Sequence, residues 1–147
     1  MNSTSQNTKG VLEMAQTWSL ETQTPLIDIT DTGKFVAPAL LNPIEYDGKV
    51  FTLAAAIYTP KQLIETWKEV TGKDVRFTQI PVGTARGSAI TPEMARVLQE
   101  SAGLISEFSY FGPTGEKDLE WTLSQIDDVL NSWETFVRAN GPWFEDV

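Results

Sequence analysis

The chain predicts an α+β fold, a few short strands with about four helices, and three observations carry that reading. Thr59-Pro60-Lys61-Gln62 and Thr91-Pro92 each put a hydroxyl acceptor directly before a proline, the arrangement that starts a helix. Between these starts lie short apolar or β-branched runs bounded by Gly, Asn and Asp, which read as strands. Finally, 147 residues with 41% apolar side chains suffice for a single domain with a real core.

The elements follow in order. Residues 1–10, MNSTSQNTKG, contain no apolar segment and are expected to form a disordered polar tail, with a single domain over 11–147. Residues 11–20, VLEMAQTWSL, leave helix and strand open. Pro25-Leu26-Ile27 begins a short buried strand over 25–29, and Asp31 or Thr30 caps a helix over 32–42 that Asn42-Pro43 stops. Tyr46-Asp47-Gly48-Lys49 is a turn, and Val50 to Ala54 reads as a strand. The helix begun at Thr59 turns Leu63, Ile64, Trp67 and Val70 to one side and ends at Gly72. Asp74 to Ile80 reads as a strand, followed by a loop with Gly83 and Gly87. The next helix lines up Met94, Val97, Leu98 and Ala102, residues 104–111 are apolar and irregular, and Gly112 to Gly115 is a turn. Ser124-Gln125-Ile126-Asp127 is read as a capping box for a last helix with Val129, Trp133, Phe136 and Val137 on its apolar face, ended by Asn140-Gly141.

Composition narrows the chemistry. A net charge of −9 opposes nucleic-acid binding, which needs basic patches. The absence of a long apolar run and of a leader-like N-terminus predicts a cytoplasmic protein with no membrane contact. Without cysteine there is no thiol catalysis or disulfide, and without histidine the commonest general base and metal ligand is missing. Chemistry must therefore come from Asp, Glu, Lys, Tyr, Thr or Arg, and no metal site is expected.

Four segments carry a resemblance: DITDTGKFVAPALLNP, YDGKVFTLAAAIYTPKQLIETWKEVTGKDVRF, MARVLQESAGLISEFSYFGPTG and DLEWTLSQ. Together, over about residues 20–144, they resemble the C-terminal, substrate-side part of the NmrA-like proteins, atypical short-chain dehydrogenase relatives. In that family a Rossmann half carries a glycine-rich NADP loop. Here the glycine pairs Gly83/Gly87 and Gly112/Gly115 lack that spacing, so no cofactor is expected. The truncated architecture is similar to small pathway enzymes of fungal aromatic polyketide biosynthesis, of the PhnH type from phenalenone pathways. That resemblance implies a cofactor-independent cyclase that adds a phenol hydroxyl across a prenyl alkene. The alternative is a non-catalytic ligand-binding or regulatory relative. It also implies that an apolar face covered elsewhere in the family is left bare, so a homodimer burying roughly 800 Å² or more per subunit is expected.

Candidate residues follow, each with an ordinary structural role beside the functional one. Asp28, Thr30, Asp31 and Thr32 either cap the helix or hold a substrate hydroxyl, the aspartates acting as catalytic base or anchor. Glu107, among Ile105, Phe108, Tyr110 and Phe111, is a candidate catalytic acid if buried, or it points to solvent. Tyr46, Tyr58 and Tyr110 can hydrogen-bond a ligand or serve the core. The Tyr-Lys pair of classical short-chain dehydrogenases is absent, since Val50 follows Tyr46 at four and Gln62 follows Tyr58. Phe111 and Trp121 are candidate aromatic walls for a flat ligand, as is Trp143 in the tail. Arg86, in the glycine-containing loop, can close over an anion, whereas Lys34 and Lys49 are expected in solvent.

One prediction follows from the missing phosphate loop. Titration calorimetry with NADPH is expected to give no saturable heat; a stoichiometric heat at micromolar affinity would overturn it.

Overall fold

The computed structural model describes residues 3–6, 12–81 and 91–141. Two small sheets and five helices make up the described residues, in keeping with the α+β expectation. Strand β1, Ser3–Gln6, pairs antiparallel with β2, Leu12–Gln16, and β2 pairs parallel with β5, Val75–Gln79. Strands β3, Thr24–Leu26, and β4, Ala56–Tyr58, form a separate antiparallel ribbon. The helices are α1 Thr32–Leu41, α2 Pro60–Thr71, α3 Pro92–Phe108, α4 Gly115–Leu123 and α5 Trp133–Asn140.

The core sits where β2, α2 and α5 meet. Leu12, Trp67 and Val137 are buried together, with Val70, Val75 and Trp133 packed around them. The amphipathic spacing of α2 turns Leu63 and Trp67 inward. The indole N–H of Trp133 then donates to the Leu63 carbonyl at 3.1 Å, joining α5 to α2. The parallel ladder also orders polar groups, since Thr78 Oγ1 donates to Glu13 Oε1 across the β2–β5 pair.

The helix starts behave as the sequence dictates. Thr59 accepts from the Gln62 amide, and the Gln62 side chain accepts from the Thr59 amide at 2.8 Å, a complete capping box. Thr91 caps α3 by accepting from the Met94 amide. Gly72 closes α2 at φ 70°, where any other residue would be strained.

Five expectations are corrected. Residues 3–6, read as part of a polar tail, supply an edge strand, because their backbone groups can pair with β2 whatever their side chains. Val50 to Ala54 is not a strand: the Thr52 amide donates to the buried Thr122 Oγ1 of α4 at 2.9 Å, so its partner is a side chain instead of a ladder, and Val50 is exposed. The ribbon strand starts two residues later, at Ala56. Residues 104–108, read as irregular, continue α3. Ser124 to Asp127 do not start the last helix; the Gln125 amide bonds to the Thr122 carbonyl and the Ile126 amide to the Leu123 carbonyl, closing α4. Ser132 caps α5 instead, accepting from the Thr135 amide at 3.1 Å, which leaves Val129 outside the helix and exposed. Helix α4 was not foreseen and brings the helix number to five, because its Thr114 N-cap makes no side-chain cap bond for a sequence to advertise.

Leu12 joins the sheet to both core helices, so Leu12→Ala is expected to cost about 2–5 kcal/mol of stability, measured by urea unfolding. A loss below about 1 kcal/mol would mean that the β2, α2 and α5 junction is not the core.

Candidate functional site

Side chains alternate across a strand, and this sorts the candidate site into two cavities. In the β3–β4 ribbon Pro25 pairs with Ile57, and both line one cavity; Leu26 and Tyr58, at alternate positions, line another. Of the candidate residues, Glu107, Tyr110 and Phe111 fall in the first of these places and Asp28 in the second.

The first cavity, about 490 Å³, lies between the ribbon, the C-terminal end of α3 and the turn that follows. Glu107, Phe108, Tyr110, Phe111, Gln23 and Glu116 line it together with Pro25 and Ile57. The turn is built locally. Ser109 leaves the helix at φ 62° and ψ 163°, sparsely populated for a residue with a side chain, and its hydroxyl donates to the Gly112 carbonyl at 2.8 Å. Tyr110 and Phe111 meet edge to face at 5.1 Å. Glu107 is exposed, as are Phe108 and Tyr110 beside it in the same lining.

The second cavity, about 300 Å³, holds Asp28. Its apolar lining is Leu26, Ile27, Ile29, Ala55, Trp133 and Phe136, and its polar groups come from Asp28, Tyr58, Asn131 and Ser132. Asp28 Oδ1 accepts from the Thr30 amide at 2.9 Å and the Thr30 hydroxyl at 2.7 Å, while Oδ2 accepts from Asn131 Nδ2 at 3.3 Å. The Thr30 backbone and hydroxyl bonds foremost, with help from Asn131 and the nearby Lys34 charge, hold the Asp28 carboxyl below the usual carboxylate range. Asp28 thus caps a short 3-10 helix, Ile29–Asp31, that leads into α1.

Asp31 is 1% exposed and fully engaged. Its Oδ2 accepts the Asn131 amide at 2.6 Å, and its Oδ1 lies 2.8 Å from Lys34 Nζ and 3.4 Å from Asn131 Nδ2. These bonds occupy the carboxylate, so it makes no cap bond to α1, contrary to the expected capping role. Lys34, expected in solvent, also donates to the Val129 carbonyl at 2.6 Å. Thr32 spends its hydroxyl on the Ile29 carbonyl at 2.8 Å.

Tyr46 and Trp121 sit in neither cavity lining; both pack edge to face on Phe51 with centroids 5.4 Å away, and the Tyr46 hydroxyl donates to Gln125 Oε1 at 3.1 Å. Arg86 and Trp143 lie outside the described residues. Tyr58, weighed with the other tyrosines as a hydrogen-bonding phenol, lines the second cavity, whereas sequence reasoning missed Asn131, Trp133 and Phe136 as cavity residues. Helical spacing marks the last two as core, and Asn131 carries no local signal because its partners are about a hundred positions away.

Residues 2–137 match the NmrA-like family, and the chain belongs to it. The match reaches further toward the N-terminus than the resemblance read from the sequence. Among solved structures, a crystal structure of NmrA, described as a negative transcriptional regulator, in complex with NADP is similar at TM-score 0.68 and 13% identity. The same protein in complex with NAD is similar at TM-score 0.65 and 15% identity. Each likeness covers 90% of this chain and 44% of the other, so this chain spans less than half their length and the likeness is one of fold. No curated protein matches the chain.

The lowered Asp28 value sets a sign for pH dependence. A carboxyl whose folded value lies below its unfolded one stabilises the fold above the unfolded value, about pH 4, and that contribution is lost as pH falls through the folded value. Asp28→Asn is therefore expected to destabilise at neutral pH, with a difference from wild type that narrows below about pH 4 in urea melts. A gap independent of pH would show that the charge plays no part.

Proposed function

We propose that this NmrA-like chain is a ligand-binding protein of regulatory type, and that its ligand is a planar aromatic phenol of polyketide character held in the first cavity. The single observation that carries this reading is the lining of that cavity. Phe108, Tyr110, Phe111, Pro25 and Ile57 offer walls for a flat apolar body. Glu107 and Glu116 offer carboxylate acceptors for ligand hydroxyls, and Gln23 can both donate and accept. A phenol donates to carboxylates, whereas an anionic ligand would be repelled by them and by the net charge of −9. The naming of the NmrA structures as those of a negative transcriptional regulator supports regulation over turnover. Exposed apolar residues on α3, among them Met94, Val97 and Leu104, support assembly with a second copy.

A second reading is catalytic and rests on Glu107 lining the same cavity as Tyr110 and Phe111. In it Glu107, as the acid, gives its proton to a prenyl alkene while the phenol oxygen bonds to the developing carbocation. The phenol proton then returns to Glu107, so the reaction is an isomerisation that consumes no cofactor. This is the hydroalkoxylation of the PhnH-type enzymes. Asp28 and Asp31 do not line that cavity, so of the three carboxyl groups singled out in the sequence the reading assigns the proton cycle to Glu107.

Calorimetry and product analysis with prenylated and unprenylated naphthols, without nucleotide, separate the readings. Saturable binding of both, weakened about tenfold or more by Tyr110→Ala and without conversion, is the expected outcome. Conversion of the prenylated compound that Glu107→Gln abolishes would establish the cyclase. Absence of saturable binding by either compound overturns both.

A further inference from the structure

We propose that the second cavity is a binding site for a protonated amine carried on an apolar, aromatic body, distinct from the phenol site across the ribbon. Among the described residues of its lining, Asp28 is the only charged one. The groups that bond to that carboxylate, from Thr30 and Asn131, are neutral, so they orient it without cancelling its charge. Lys34, the neighbouring cation, is engaged elsewhere, with Asp31 at 2.8 Å and the Val129 carbonyl at 2.6 Å, and no ion pair to Asp28 occurs among the described residues.

The rest of the cavity fits the same ligand. The Tyr58 oxygen accepts the Trp133 amide at 3.3 Å and keeps a second lone pair for an ammonium N–H. Trp133 and Phe136 stack at 6.1 Å with their planes 21° apart, and both border the cavity as apolar lining for an aromatic body. Leu26 and Ala55 complete an apolar wall, which a small inorganic cation could not use. A volume of about 300 Å³ suits a ligand of one ring and a short arm. A neutral ligand would gain only the walls, and an anion would meet Asp28.

Nitrogen–proton correlation spectra of the whole chain test this with three probes of one shape: phenethylammonium, phenethyl alcohol and phenylacetate. The Trp133 indole resonance, assigned through Trp133→Phe, is the reporter. The amine is expected to shift it saturably, the alcohol to bind about tenfold or more weakly, and phenylacetate to leave it unmoved. Asp28→Asn, which keeps the shape, is expected to bring the amine to the level of the alcohol. Equal binding of amine and alcohol, or an amine preference that survives Asp28→Asn, overturns the proposal. Should that variant fail to fold, the wild-type comparison decides: amine-specific shifts at the Thr30, Asn131 and Trp133 amides support the site, and shifts confined to other residues refute it.

Discussion

A buried carboxylate must be paired, and the pairing of Asp31 holds together parts of the chain a hundred positions apart. Removing its partners would leave a charge without solvent, at a cost of several kcal/mol. The Asn131 amide and the Lys34 ammonium must therefore be in place whenever the fold is. Lys34 extends the tie to the Val129 carbonyl, and Asn131 extends it to Asp28. The segment before α5 is thus fixed against the start of α1. Because Asn131 is fixed, Ser132 follows it as the cap of α5, and Trp133 and Phe136 come to line the second cavity. The residues that looked most like catalytic groups in sequence build the frame of one site and supply its charge.

The ribbon decides what each carboxylate can reach. Its two-residue period sends Pro25 and Ile57 to the cavity that holds Glu107, and Leu26 and Tyr58 to the one that holds Asp28. Two carboxyl groups on opposite faces of a ribbon do not form an acid–base pair over one substrate. As proposed, they face ligands of different charge character: hydroxyls against exposed carboxylates on one side, and a cation against an oriented carboxylate among apolar walls on the other.

What the sequence made legible was local. Thr59, Thr91 and Gly72 act within one helical turn of themselves, so their roles could be read off and hold in the structure. The α+β class, the turn at Tyr46 to Lys49 and the strand after Asp74 followed from the same short-range chemistry. Long-range competition hid the rest. Val50 to Ala54 has strand-like residues, but Thr122 takes the Thr52 amide from 70 positions away. Ser124 to Asp127 has the composition of a capping box, yet the end of α4 claims its amides first, and Ser132 does the capping. The Asp28 cluster was found for its polarity, while Asn131, which completes it, lies beyond any local window.

Helix α3 raises a last question, because it supplies one wall of the first cavity while much of its apolar surface is exposed. Ala102 is its buried residue among those described; Met94, Val97, Leu98, Leu104 and Phe108 are exposed. A wall that depended on burying that surface would change with whatever covers it. The turn after the helix is held differently. Ser109 bonds to the Gly112 carbonyl, Tyr110 packs on Phe111, and Gly112 takes φ 79°. Gly115 opens α4 directly beneath Phe111: a Cβ there would lie 2.4 Å from the Phe111 Cβ, so only glycine allows the ring so close to the helix. Leu119, one turn further on, is buried and anchors α4. The Tyr110 and Phe111 part of the aromatic wall is thus set by its own turn and by α4, whereas Phe108 stands on α3 and shares whatever covers that helix.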